Sequence, residues 1–314
     1  MEKKAIFATK LVIFTMKNTI KNWISATRPR TLLLAYAITF VPMVLADREH
    51  KANVAVFVWS LLSVFLLQIL SNLANDLGDA QKGTDKERVG EKRAVQSGAI
   101  TPKAMKMAIV VCGTLAIIST SVLFIISLHS LGEWIALLSM LGMSILAALL
   151  YTLGKNPYGY RGFGDLAVLV FFGYFAVVGG TYLHTKHIDL LYFLPATTMG
   201  LLAVAVLNVN NMRDLANDKK HGKMTLAVRL GEKNAKHYHL ALFLLAFGSL
   251  FIYLQQVDKL FQWKILWYLP VFALVAKHLY NVYQNKNAKD LDKMLKTVAL
   301  IALLTANLLV AVLF

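Results

Sequence analysis

Long apolar runs separated by short charged segments constrain this chain more than any other feature. A helix needs about 20 predominantly apolar residues to span a bilayer core, and only helices and closed barrels satisfy their backbone there. Nine candidate runs can be counted, at roughly 31–46, 53–75, 104–128, 133–153, 164–184, 189–211, 237–256, 264–283 and 297–314. Composition agrees: 57% of the 314 residues are hydrophobic and only 16% are charged, against about 25% charged in a soluble domain. The expected fold class is an all-α polytopic membrane protein with about nine transmembrane helices, forming a single domain over residues 1–314.

The distribution of Lys and Arg tests that count. With the N-terminus in the cytosol, 26 of the 33 fall in cytosolic segments, four in the opposite loops (Arg48, Lys51, Lys186, Lys259) and three in or at the edge of spans. A missed or extra span would scramble this contrast, so nine spans with a cytosolic N-terminus is the expected topology. The formal net charge of +16 is then a matter of membrane orientation, and no nucleic-acid partner is expected. No segment points to an obligate protein partner. Cys112 is the single cysteine and lies in an apolar run, which excludes a disulfide framework and a thiol metal site. Residues 1–22 carry Lys3, Lys4, Lys10 and Lys17 through a weakly apolar stretch. They read as an interfacial segment, because Lys10 interrupts the apolar core that a cleaved signal peptide requires.

Two of the cytosolic segments, 76–103 and 212–236, are long enough to cap a cavity. Each follows an apolar run that ends in amides and acids. In the first, Asn72, Asp76 and Asp79 stand at offsets 0, 4 and 7 and would share a helix face, with Asn75 beside them and Asp85, Arg88, Lys92 and Arg93 following. In the second, Asn210, Asp214 and Asp218 are spaced four apart, with Asn211 alongside and Lys223 and Arg229 following. One such cluster is an ordinary solvated helix end. Two of them, four spans apart, point to a duplicated ligand site and hint at two four-helix repeats with a ninth helix appended.

An acid near the bilayer centre costs about 2.5–3.5 kcal/mol, so acids beside apolar spans usually line a polar cavity. The spacing does not fit an EF-hand; carboxylates four apart suit Mg²⁺, which takes one or two of them together with phosphate oxygens. The amides of Asn72, Asn75, Asn210 and Asn211 would orient those carboxylates or, for Asn72 and Asn210, ligate the metal. Arg88, Arg93, Lys223 and Arg229 serve the positive-inside rule, and arginine forks also match phosphate oxygens. Tyr151 and Lys155, before a Gly/Pro/Tyr-rich turn and Asp165, indicate a shaped site at the end of the fourth span.

At these residues the chain resembles the UbiA superfamily of intramembrane prenyltransferases, in its menaquinone branch. The superfamily pattern NDxxDxxxD is met by Asn75, Asp76 and Asp79; its last acid position is Gly83, with Asp85 two residues on. DxxxD is Asp214 to Asp218, and YxxxK is Tyr151 to Lys155. RPRTL at 28–32, RAVQSG at 93–98, PYGYRGFGDLAVLVFFG at 157–173 and GKMTLAVRLG at 222–231 carry the branch resemblance, while Glu91-Lys92 stands where many relatives have Gly-Pro. The resemblance covers residues 23 to about 235, with only hydropathy matching beyond. It implies helices around a central cavity, a polar mouth for Mg²⁺ and a diphosphate, and a lateral opening for a long isoprenoid tail in the bacterial cytoplasmic membrane. The implied reaction transfers a polyprenyl group from polyprenyl diphosphate to 1,4-dihydroxy-2-naphthoate with loss of CO₂ and diphosphate, giving demethylmenaquinol. Two Mg²⁺ ions would sit on Asp76/Asp79 and Asp214/Asp218, with Tyr151 and Lys155 steadying the leaving group. The alternatives are another aromatic acceptor, such as 4-hydroxybenzoate or homogentisate, and a cation-coupled secondary transporter.

Overall fold

A computed structural model describes residues 18–84, 90, 93–257 and 261–314. Among the described residues, nine helices are long and apolar enough to cross a membrane: α1 Pro29–Asp47, α2 Val54–Lys82, α3 Pro102–Ser127, α4 Leu131–Leu150, α5 Gly164–Thr185, α6 Leu190–Lys220, α7 Leu226–Val257, α8 Ile265–Gln284 and α9 Ala288–Leu313. The chain is an all-helical, multi-pass membrane protein, as its hydropathy predicts. Of the 1–22 segment, residues 1–17 lie outside the described residues, and residues 18–27 form a helix leading to α1.

Local chemistry sets the helix ends. The Asn53 side chain accepts hydrogen bonds from the N–H groups of Ala55 and Val56 to start α2. Ser130 and Glu133 form a reciprocal capping box on α4, and Thr101 caps α3 with Pro102 in its first turn. Gly83, at φ +74°, closes α2 in the left-handed region.

Four helices run well past the apolar runs that mark them. α2 continues to Lys82, α6 to Lys220, α7 begins at Leu226 with a break at Gly231, and α9 begins at Ala288. At 1.5 Å per residue, the 29 residues of α2 extend about 43 Å, beyond the ~30 Å hydrocarbon core. The surplus is polar, and it carries the candidate site.

One apolar cluster joins α1, α5, α6, α7, α8 and α9, and a second joins α2, α3 and the 94–100 turn. α9 is no appendage: it packs against α1, α6 and α8, with Val298, Ile301 and Ala302 fully buried. Small residues set the crossing of α5 and α6, as is usual where lipid removes the hydrophobic drive between helices. A Cβ on Gly200 would stand 2.9 Å from the Gly173 Cα, so α5 and α6 meet backbone to backbone there. The middle of α5, Leu169–Gly179, is π-helical.

Candidate active site

Between the two clusters lies a cavity of about 290 Å³, walled by α1, α2, α4, α5, α6 and α9. On α2 its wall is Val64, Leu67, Gln68, Ser71, Asn72, Asn75 and Asp79, one helical stripe that turns from apolar to amide to acid. On α6 it is Ala203, Val206, Leu207, Asn210 and Arg213, with the same polarity gradient. The polar ends of both stripes meet at one mouth.

Among the described residues Asp79 is the acid that faces this mouth, although it is only 2% exposed. Its carboxylate accepts a hydrogen bond from Tyr160 Oη at 2.8 Å and stands 3.3 Å from Lys223 Nζ. Because Tyr160 donates to Asp79, Thr84 must donate to Tyr160 across their 2.6 Å contact. Lys223 also sits 5.1 Å above the Tyr160 ring, a cation–π geometry. Asn217 donates to the Thr84 carbonyl oxygen, so the ends of α2 and α6 are tied directly. Burial, reinforced by the Asp79 charge, holds the Tyr160 hydroxyl well above the usual phenol range. Burial pushes Tyr158 up to about 12. Tyr151 is raised by burial first and by the Asp165 and Asp79 charges next. These phenols are neutral donors at physiological pH.

Tyr151 is fitted closely. Gly159 and Gly164 flank its ring, and an added Cβ would reach it at 2.9 Å and 3.1 Å. The next residue, Thr152, donates to the Ala74 carbonyl oxygen and the Asn75 amide oxygen. Its approach to α2 is so close that a Cβ on Gly78 would lie 2.6 Å from Thr152 Oγ1.

Asp76 does something other than face the cavity. Its two oxygens accept the N–H groups of Ala94 and Val95, each at 3.0 Å, anchoring the 93–98 turn that presents Arg93 to the cavity. Successive helical residues rotate by about 100°, so the α2 wall covers the arc from Leu67 round to Asn72, and Asp76 stands about 40° beyond Asn72, off that arc, and meets the loop instead. On α6, Arg213 lines the cavity and Asp214 does not. The guanidinium forks onto Asp214, with Nε and Nη2 each 2.8 Å from a carboxylate oxygen, and Nη2 reaches Asn210 at 2.7 Å.

Of the residues expected from sequence, Asn72, Asn75, Asp79, Arg93, Tyr151, Asn210 and Lys223 share this cavity. Asp218 and Asn211 are buried at 3% exposure but lie outside its wall. Lys155 is exposed and outside the wall, because the turn after Tyr151 leaves the helix before a fourth-residue neighbour can align. Arg229 is also exposed; it binds the Met224 and Arg161 carbonyl oxygens and fastens one loop to another. Asp85, Arg88 and Lys92 lie outside the described residues. Sequence reasoning missed Arg30, Tyr160 and Asp292. In sequence Arg30 looks like any positive-inside residue before the first span, Tyr160 sits in a Gly-rich turn, and Asp292 lies in the charged stretch before the last apolar run.

A second, apolar cavity of about 140 Å³ adjoins the first, sharing Val64, Leu67, Ser144, Phe171 and Ala176 with it. The α5 wall runs through both as pairs four residues apart: 167/168, 171/172, 175/176, 179/180 and 183/184, lacking only Phe175 in the first cavity and completed by it in the second. At 3.6 residues per turn a four-residue row drifts steadily off one face of an α-helix, and the wider π turn rotates it back. The π segment thereby keeps one continuous wall.

The UbiA prenyltransferase family matches residues 33–312. The chain belongs to that family. The match reaches the last helix, so the resemblance extends beyond residue 235. At 41% identity over 294 residues, covering 93% of this chain and 94% of the relative, it is similar to a 1,4-dihydroxy-2-naphthoate octaprenyltransferase of Escherichia coli. A protein of the same name from Haemophilus influenzae is 41% identical, with 91% and 93% covered. A UbiA homolog from Archaeoglobus fulgidus, solved bound to GPP and Mg²⁺, shares the fold at TM-score 0.65 and 16% identity, covering 93% of this chain and 99% of that one. The donor set suits the metal the family implies: Asp79, Asn72, Asn75 and Asn210 present hard oxygen ligands in one cavity. Among the described residues no three acids, histidines or cysteines form a closed metal cage.

Proposed function

We propose that the protein transfers a polyprenyl group from its diphosphate to 1,4-dihydroxy-2-naphthoate, with loss of diphosphate and CO₂, at a mouth facing the bacterial cytosol. The contact of Asp79 on α2 with Lys223 beyond α6 carries this reading. It brings both duplicated helix ends to one polar mouth that opens into an apolar channel. The names of relatives 41% identical over nearly the whole chain support the acceptor.

Asp79 with Asn72 and Asn75, and Asp214 with Asp218, are the residues that would hold Mg²⁺, one ion at each helix end. Bound Mg²⁺ supplies the positive charge that a departing diphosphate needs. Arg30, Arg93, Arg213 and Lys223 grip the phosphate oxygens, with Arg213 exchanging its fork on Asp214 for the ligand. Tyr160 keeps Asp79 oriented, and Asp76 keeps the Arg93 turn in place. The allylic C–O bond breaks and its electron pair leaves with the diphosphate. Tyr151, Tyr158, Phe171 and Phe172 line the reacting region, where π faces stabilise an allylic cation and exclude the water that would hydrolyse it. The electron-rich ring forms the new C–C bond. The bond from ring to carboxylate breaks, CO₂ departs, and its electron pair restores aromaticity. The isoprenoid tail follows the α5 row into the second cavity and on to lipid.

The test is acceptor competition in purified, lipid-reconstituted protein with Mg²⁺ and a polyprenyl diphosphate. Prenylated naphthoquinol and stoichiometric CO₂ are expected. Prenylation of 4-hydroxybenzoate or homogentisate in its place overturns the acceptor. Solute uptake without diphosphate release overturns the transferase reading in favour of a transporter.

A further inference from the structure

Asp292 lies in the second turn of α9, outside the cavity wall, and bridges two residues that line it. One carboxylate oxygen accepts Arg30 Nη1 at 2.8 Å, and the other accepts Arg213 Nη1 at 2.7 Å. The arginines come from α1 and α6, so a single carboxylate joins the first, sixth and last helices at the mouth. Arg213 is held from all sides. Its remaining edge engages Asp214 and Asn210, and Gly90 of the first cap loop packs so closely that a Cβ there would stand 2.7 Å from the Arg213 Cζ.

Two guanidinium groups this near one another repel, and each has long, rotamer-rich freedom to turn away. A carboxylate with one oxygen on each offsets that repulsion and holds the two groups at a set separation. Building on the diphosphate site proposed above, we propose that Asp292 is a positioning residue. It holds the guanidinium groups of Arg30 and Arg213 at the spacing in which both meet one donor diphosphate. It touches neither donor nor acceptor and acts only through the arginines.

Electrostatics alone makes the opposite prediction. Removing a negative charge beside an anion site should draw a polyanion in more tightly. The sign of the change therefore separates the two roles. Binding of inorganic diphosphate with Mg²⁺ to the purified full-length protein, read by calorimetry, needs no turnover. Asp292→Asn is expected to weaken it about tenfold, as for loss of a mostly buried charge-assisted contact. Asp292→Glu, which keeps the charge but lengthens the reach, should weaken it about threefold. In transfer assays the donor KM should follow the diphosphate Kd, while the acceptor KM and kcat stay within about threefold. Unchanged or tighter diphosphate binding in Asp292→Asn overturns the proposal. So does an equal loss of acceptor and donor affinity accompanied by a lowered Tm, which would mark a mere strap between helices. Should the Asn variant not fold, the Glu variant decides alone, and no change in its Kd overturns the proposal. Wild-type protein that does not bind diphosphate overturns the diphosphate reading itself, whereas wild-type binding unaltered by either substitution overturns only the role of Asp292.

Discussion

Asp76→Asn separates a loop anchor from a metal ligand. The carboxylate is 2% exposed and accepts two backbone N–H groups at 3.0 Å. Hydrogen bonds to a charged partner are worth about 1.5–3 kcal/mol each. Asparagine keeps one acceptor oxygen and turns an NH₂ toward the other N–H, losing one bond and adding a donor–donor conflict. The docked state of the 93–98 turn should lose about 3 kcal/mol, roughly a hundredfold in its docking equilibrium. Hydrogen exchange of residues 93–100 in lipid nanodiscs should rise accordingly. Activity should fall about 10- to 100-fold through the donor KM as Arg93 loses its position, while the Mg²⁺ concentration for half-maximal activity stays the same. A sharply raised Mg²⁺ requirement with unchanged protection of that turn would refute the assignment and make Asp76 a metal ligand.

Asp79→Asn should show the complementary pattern: a raised Mg²⁺ requirement and a fall in kcat/KM of about 100-fold or more, with exchange of the 93–98 turn unaltered. Gly78→Ala places a Cβ 2.6 Å from Thr152 Oγ1 and 2.9 Å from the Thr152 carbonyl carbon; overpacking of this kind costs about 1–3 kcal/mol, read as a lower Tm in detergent. In Gly179→Leu the added Cβ meets only the flexible Met140 Cε, at 3.2 Å, and the rest of the side chain is aimed to fill the second cavity, whose wall includes Gly179. Long polyprenyl donors should then lose kcat/KM relative to dimethylallyl diphosphate, and an unchanged chain-length profile would remove the tail from this channel. Burial favours neutral Tyr158, with its pKa about 12, against about 10 in the unfolded chain. Its folded-state pKa is the higher one, so its contribution to stability is complete below pH ~10 and is lost as pH rises toward 12. Absorbance titration of wild type against Tyr158→Phe should show the corresponding phenolate only at that upper end.

The nine spans were legible because apolar length and the Lys/Arg contrast are properties of local sequence. The larger boundary differences lie where α2, α6, α7 and α9 run into polar residues, where hydropathy stops but helical hydrogen bonding continues, whereas α4 stops at Leu150, short of the expected 153. Helical spacing placed Asn72 and Asp79 on one face but could not show that Asp76, at its edge, meets the backbone of Ala94 and Val95. The motif pairing of Tyr151 with Lys155 was readable as a pattern. The turn that separates their directions was not. Asp292 was invisible because its partners are 262 and 79 residues away, and nothing in its neighbourhood marks it as more than a charge at a helix start. The π segment left a trace in the four-residue rhythm of Phe171, Phe175 and Gly179, a spacing that an α-helix also tolerates over one or two turns.

The measurement closest to the central claim is a structure of the protein with Mn²⁺ in place of Mg²⁺ and a non-reacting prenyl diphosphate analogue. Anomalous signal should mark metal against Asp79 and against Asp214, with the diphosphate spanning the ends of α2 and α6. Metal bound at one helix end alone, or a diphosphate that contacts only one of them, would contradict the shared site.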